Sequence, residues 1–166
     1  MSERFAVNSD FGWWVVDFDA QLSGRLRSGA SQLGAVTGVS LEKAKPSLVS
    51  AARAGKAVSQ LLKDYFDGDL LALDRIPVYQ PGSDFSVEVR VAMRDIKAGD
   101  WASYAELAAA VGSPGATRAV GTVCSSNKVP LIVPCHRVLR ADGSLGNYYY
   151  GTHVKSALLR HEGVDA

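Results

Sequence analysis

Tyr104-Ala-Glu-Leu-Ala-Ala-Ala-Val-Gly-Ser-Pro-Gly-Ala-Thr-Arg-Ala-Val-Gly-Thr-Val-Cys-Ser-Ser126 has the outline of two short helices around a tight turn. Leu107, Ala108 and Val111 share one face of a first helix that starts near Tyr104, and Gly112 closes it. Ser113-Pro114 offers an N-cap and a first-turn proline for a second helix, expected from Pro114 to Ser126. Together these form a helix-turn-helix, an outline that ordinary helical hairpins share. The second helix carries almost no bulk. A mid-helix glycine costs about 1 kcal/mol relative to alanine, so Gly121, among Thr117, Ala119 and Thr122, implies that something approaches the backbone closely. A second helix of the protein or a duplex groove would satisfy that requirement. Arg118 is the one long cation on this face, suited to pair with a carboxylate or to enter a base stack where a base has been displaced.

Directly downstream, Lys128-Val-Pro-Leu-Ile-Val-Pro-Cys-His-Arg-Val138 reads as a short buried strand, Leu131 to Val133, delivered by prolines to a Cys-His pair. A thiol near pKa 8.5 is only a few per cent thiolate at pH 7, so a reactive cysteine needs a base or a positive field. His136 and Arg137 stand beside Cys135 to supply them. Neighbours on an extended strand point to opposite faces, so a direct Cys135–His136 bond requires a turn there, or else a bridging water. From residue types alone, core packing of the cysteine competes with a catalytic role.

Upstream, Phe85, Val89, Ala92, Met93 and Ile96 form one apolar stripe, with Asp84 as N-cap and an end near Gly99. The run Ile76-Pro-Val-Tyr-Gln-Pro-Gly-Ser83 forbids a helix and suits a connector. The resulting division is an N-terminal α/β domain over 1–78, expected to be structural, a connector over 79–83, and a domain over 84–166 that holds the helix-turn-helix and the Cys135-His136 pair, the candidates for DNA contact and nucleophilic chemistry. In the first part, Trp14, Val16 and Phe18 alternate as in a strand. A Gly- and Ser-rich stretch through Gly38 reads as hairpin and loop. Val58, Leu61, Leu62 and Tyr65 recur at helical spacing up to a stop at Gly68. The fold class is α+β: a small sheet-and-helix domain, then a mainly helical domain with a winged-helix-like helix-turn-helix.

A chain of 166 residues, nearly half of them hydrophobic, buries a real core. No apolar run approaches the roughly 18 to 20 residues that span a bilayer, and Met1 to Phe11 lacks a secretion signal, so a cytoplasmic protein without membrane contact is expected. Two cysteines, Cys124 and Cys135, do not make a disulfide framework; reduced thiols follow. The net charge of +1 excludes binding to nucleic acid by bulk charge. Local contact remains available, because Arg118, Lys128, Arg137 and Arg140 face only Glu106 between Trp101 and Ala141.

Pro134-Cys135-His136-Arg137-Val138, with Asn127 before it, resembles the active-site motif of the O6-alkylguanine-DNA alkyltransferases, the methylated-DNA–protein-cysteine methyltransferases. Ser103-Tyr104, Arg118-Ala119-Val120-Gly121, Gly146 with Tyr148, and Leu158-Leu159 with His161-Glu162-Gly163 fall in that family's order and spacing. The similarity covers about Asp84 to Gly163. Earlier it is loose, limited to Ser9-Asp10-Phe11-Gly12 and Tyr65-Phe66-Asp67-Gly68, and Arg90 stands where relatives often have tryptophan.

The resemblance implies single-use transfer of an alkyl group from O6-alkylguanine, and from O4-alkylthymine, in duplex DNA to Cys135. His136 is then the base, through water, and Glu162 orients it. Tyr104 donates to the departing guanine, and Asn127 ties the helical hairpin to the active-site turn. Arg118 fills the gap of the flipped nucleotide, and Thr117, Ala119, Gly121 and Ser103 lie at the minor groove. Val138, Tyr148 and Tyr149 line the base pocket. No cofactor is implied and no metal: nothing before Cys124 is cysteine or histidine, so the N-terminal zinc site of some relatives cannot exist. The expected partner is double-stranded DNA carrying the lesion, bound by a monomer, with cooperation along DNA left open. Tyr149-Tyr150 departs from the small residues many relatives have there, which puts bulky adducts in doubt. The alternative is a non-catalytic module that recognises alkylated DNA or regulates; a reader of base edges would need longer polar side chains on its second helix.

Overall fold

Alternation of apolar residues and a tight reversal at Asp10–Phe11 shape the first unit of this computed structural model, which describes residues 2–25, 27, 31–47 and 53–166. The chain divides into two compact units, Met1–Gln80 and Pro81–Ala166. In the first, β1 (Ser2–Ser9), β2 (Gly12–Arg25) and β3 (Ser31–Glu42) form an antiparallel sheet in that order. Phe5 and Val7 on β1 and Trp14, Val16 and Phe18 on β2 are buried, as period-two strands require. Helix α1 (Arg53–Phe66) packs on β1 and buries Val58, Leu62 and Tyr65, the expected helical stripe. Trp14 closes this core: its ring stacks on Phe66 at 6.0 Å and its indole N–H donates to Ser9 Oγ at 3.0 Å.

The Gly-rich stretch differs from expectation. Residues 28–30 lie outside the described residues, and from Ser31 to Gly38 the chain is strand β3, not loop. Pairing with β2 over 31–42 satisfies the backbone groups that a glycine-rich loop would leave to water. The connector run is likewise partly ordered by pairing. Val36 N–H donates to Pro77 O at 2.8 Å and Tyr79 N–H to Val36 O at 2.9 Å, with Ile76 and Val78 buried.

The second unit opens with α2 (Asp84–Asp95), whose N-cap is Ser83 rather than Asp84: Ser83 Oγ accepts the Ser86 N–H. It ends at Ile96, which caps it in extended backbone, four residues short of Asp100 and before Gly99. Strand β4 (Ala102–Ser103) runs into α3 (Tyr104–Ala110) through a capping box, Ser103 Oγ accepting from Glu106 N–H while Glu106 Oε2 accepts from Ser103 N–H. Gly112, at φ +71°, ends α3 in a Schellman arrangement: Gly112 N–H bonds Ala109 O and Ser113 N–H bonds Ala108 O. Helix α4 is Thr117–Ser125, three residues shorter at its start than expected. Ala116 N–H bonds Ser113 O at 2.8 Å, so Pro114 sits at the second position of a turn, where its fixed φ is equally favoured.

Leu131 to Val133 is not a strand. The residues are buried but turn, with Leu131 at φ +75° and Val133 N–H bonded to Val129 O. Pro130 and Pro134 lack the N–H groups a strand pairing would use. Cys135–Arg137 then forms one 3₁₀ turn, followed by β5 (Val138–Leu139), and α5 (Thr152–His161) packs against that turn. No helix among the described residues is long and apolar enough to cross a membrane.

Candidate active site

Two short strands assemble the site. β4 and β5 pair in parallel, Ala102 opposite Val138 and Ser103 opposite Leu139. Tyr104 follows β4 and the Cys135 turn precedes β5, so this pairing brings a phenol and a thiol from segments 31 residues apart into one neighbourhood. Burial raises the Tyr104 pKa, with further contributions from the Cys124 and Cys135 thiols. A Cβ added to Gly146 would stand 3.5 Å from the Tyr104 hydroxyl, so the loop carrying Gly146 passes beside it.

Cys135 is buried. Its sulfur accepts the Asn127 side-chain amide at 3.3 Å, and the same amide donates to Val133 O at 2.8 Å. Asn127 Oδ1 in turn accepts Val129 N–H at 3.0 Å. Asn127 follows the end of α4, so one side chain fastens that helix to both limbs of the reactive turn. Burial pushes the Cys135 thiol up, while the Asn127 hydrogen bond and the Lys155 charge oppose this.

His136 and Glu162 are completely buried side chains whose Nε2 and Oε1 atoms lie 2.9 Å apart. Glu162, at the C-cap of α5, is therefore no surface charge. Arg137 donates from Nε and Nη2 to its two carboxylate oxygens at 2.9 and 2.8 Å. Against its desolvation, His136 and Arg137 hold the Glu162 carboxyl well below its usual range. The turn leaves His136 Nδ1 buried with no hydrogen-bond partner among the described protein atoms. Neighbours on a 3₁₀ turn need not point oppositely, which removes the objection that an extended strand would raise.

The positive charge acting on the thiol belongs to Lys155, not to Arg137 as adjacency suggests. Lys155 is buried on α5 and donates from Nζ to Val138 O at 2.6 Å and to Leu145 O at 2.5 Å. Desolvation lowers its pKa to about 8, with Cys135 opposing that shift. Nothing local marks this lysine; its helical spacing of three from Leu158 and its place on α5's buried face were the only available signal.

The remaining predicted residues fall into two groups. Thr117, Arg118 and Ala119 are exposed on α4, Gly121 is half-buried, and no atom of the described residues outside its own helix backbone and chain neighbours lies within 4 Å of a Cβ built at Gly121. Tight packing inside the protein is thus not the reason for that glycine. Ser103 is buried, its hydroxyl engaged in the α3 cap. Val138 is buried on β5, with its carbonyl held by Lys155. The Tyr148 hydroxyl is buried with no hydrogen-bond partner among the described residues, and desolvation raises its pKa well above the ordinary value. Tyr149 is 87% exposed and touches Tyr150 edge-on at 5.0 Å; Tyr150 in turn meets Tyr148 at 5.9 Å. Of the two following rings, it is Tyr150 that meets Tyr148. Cys124 is half-buried with its sulfur 3.7 Å from Met93 Sδ on α2, and burial pushes its thiol up to about 12.

The second unit joins an open, small-residue helix to a buried Cys135–His136–Glu162 assembly, the parts that a DNA-binding group-transfer protein needs. Residues 84–164 match the 6-O-methylguanine DNA methyltransferase DNA-binding domain. The methylated-DNA–protein-cysteine methyltransferase of Salmonella typhimurium is 44% identical over 115 residues, 69% of this chain and 67% of that protein. The fold is similar to that of Mycobacterium tuberculosis O6-methylguanine methyltransferase, with TM-score 0.75 and 28% identity over 100% of this chain and 95% of that one. It is similar also to the Mycobacterium tuberculosis protein of this type solved in complex with DNA, with TM-score 0.71 and 27% identity over 95% and 90% of the two chains. The chain belongs to the methylated-DNA–protein-cysteine methyltransferase family and is an enzyme of DNA repair.

Proposed function

We propose that this chain repairs duplex DNA by moving the alkyl group of O6-alkylguanine, and of O4-alkylthymine, to Cys135 in one irreversible step. The observation that carries the reading is the Cys135 sulfur held by Asn127 beside a buried His136–Glu162 pair whose Nδ1 is open. The Cys135 proton passes through a water to His136 Nδ1, and Glu162 stabilises the imidazolium. The thiolate attacks the alkyl carbon; the S–C bond forms as the C–O6 bond breaks. The guanine anion takes the Tyr104 proton and leaves neutral. A thioether has no hydrolytic exit comparable to an acyl-enzyme, so each molecule acts once.

Arg118 fills the space of the flipped nucleotide, and Thr117, Ala119 and Gly121 let α4 approach the minor groove. Ser103 sets the start of α3, while Val138 and Tyr148 line the base pocket. The first 78 residues serve as a structural domain, and the protein works as a cytoplasmic monomer on DNA without a cofactor. The test mixes the protein with a duplex carrying one O6-methylguanine and reads intact mass, then maps peptides. One methyl-sized gain on Cys135, absent in Cys135→Ala, with stoichiometric lesion loss is expected. Tight lesion binding with no mass gain would instead mean a recognition module.

A further inference from the structure

We propose that Arg137 is a positioning residue that keeps His136 a neutral base: by engaging both oxygens of Glu162 it leaves the imidazole protonated on Nε2 and open at Nδ1. The inference rests on the alkyl-transfer reading and deepens it. A carboxylate 2.9 Å from a buried imidazole favours imidazolium, and an imidazolium cannot accept the thiol proton. Burial opposes that pull most strongly, and a second group must add to it.

Arg137 does so by geometry. Nε and Nη2 reach the two Glu162 oxygens at 2.9 and 2.8 Å, while Nη1 donates to the Ile96 carbonyl at the end of α2 at 2.6 Å. The guanidinium is thus turned to the carboxylate, and with Glu162 it forms a neutral buried pair. Protonating His136 from solvent would then place an uncompensated charge where its side chain has no exposure at all, whereas a proton taken from Cys135 leaves a thiolate that balances the imidazolium. The charged groups facing the ring are Glu162 and Lys155 from α5 and Arg137 from its own turn. Burial lowers the His136 pKa most, Glu162 raises it, and Arg137 and Lys155 lower it. With Glu162 ionised, Nε2 must carry the proton that it donates to Oε1, so the lone pair lies at Nδ1, the atom without a partner.

A purely structural arginine, tying α2 to α5, predicts different behaviour, and histidine ¹⁵N NMR separates the two. Three histidines, resolved with a His136→Gln reference, make the assignment direct. The wild type should hold His136 as the neutral Nε2–H form from pH 6 to 8, on the order of one unit either side of neutrality. Arg137→Met should show imidazolium at pH 7, and Arg137→Lys, which keeps the charge, should show it less. The methyl-transfer rate of Arg137→Met should fall about ten-fold at pH 7 and recover by about pH 8.5, since one unit in pKa is ten-fold in the neutral form. A loss that is equal at every pH, with His136 still neutral, overturns the proposal. Should Arg137→Met not fold, the wild-type spectrum decides: an Nδ1–H tautomer or imidazolium at pH 7 overturns it. If the wild type transfers no methyl group, the functional reading fails, while the NMR comparison still decides what Arg137 does.

Discussion

Replacing Asn127 by alanine removes three hydrogen bonds that hold the reactive turn: from Nδ2 to Val133 O and Cys135 Sγ, and from Val129 N–H to Oδ1. Val129 and Val133 are buried, so neither main-chain group regains water without opening the turn. The Val129 N–H is orphaned at a cost of about 1–3 kcal/mol, whereas Val133 O keeps the Cys135 N–H at 2.8 Å and loses only one net hydrogen bond of about 0.5–1.5 kcal/mol; with the weaker sulfur contact neglected, the loss is about 1.5–4.5 kcal/mol. That is a large fraction of a total stability of about 5–15 kcal/mol. Urea unfolding measures it, and the rate of Cys135 alkylation by iodoacetamide against pH measures the second consequence. The amide lowers the thiol pKa, so the alkylation profile of Asn127→Ala should move to higher pH. Asn127→Asp sharpens the comparison: it can still accept from Val129 but cannot donate to Val133 O or the sulfur, and it should be the worse variant. An unfolding free energy within about 0.5 kcal/mol of wild type, the range of ordinary surface substitutions, together with an unchanged alkylation profile, would refute the reasoning.

Arg118→Ala should slow transfer from duplex DNA at least about ten-fold more than from free O6-methylguanine, because only the duplex has a vacated stack to fill; equal losses in single-turnover assays would contradict base flipping. Gly121→Leu meets no atom within 4 Å of its Cβ, so thermal unfolding should show unchanged stability, or a gain of up to about 1 kcal/mol from helix propensity, while DNA affinity in a fluorescence titration drops. Unaltered affinity would place the DNA on another face. Acid should unfold the second unit in two windows. The His136 pKa is lowered by burial from 6.5, so the unfolded chain binds its proton first and stability falls below about pH 6.5. The Glu162 pKa is depressed from 4.5, so its contribution is complete above that value and is lost as pH falls further. Glu162→Gln should lower stability at pH 7 yet flatten the acid limb of a urea-unfolding series; an unchanged limb would mean that Glu162 carries no such linkage.

What the sequence determined by itself was set by local rules. Gly112, Ser113-Pro114 and the apolar spacing of α1 to α3 act within a turn or two of chain, so the helix-turn-helix and its small-residue face were legible in the sequence. The Cys135-His136 motif was legible because residue type limits the chemistry. Even local rules left a choice where two structures satisfy them equally, as Pro114 does in a turn or a first helical turn, and here the turn was taken. Tertiary structure decided what depends on partners distant in sequence. Gly34 to Gly38 became strand because β2 supplied its hydrogen bonds, and Leu131 to Val133 became turns because prolines flank it and no strand pairs with it. Glu162 was buried by partners 25 and 26 residues away, and Arg137 was drawn from the neighbouring thiol to that carboxylate and to Ile96, 41 residues back. Lys155 then stood where adjacency had placed Arg137. Buried charges take the partner that removes most of the desolvation cost, and that partner is chosen in space rather than along the chain.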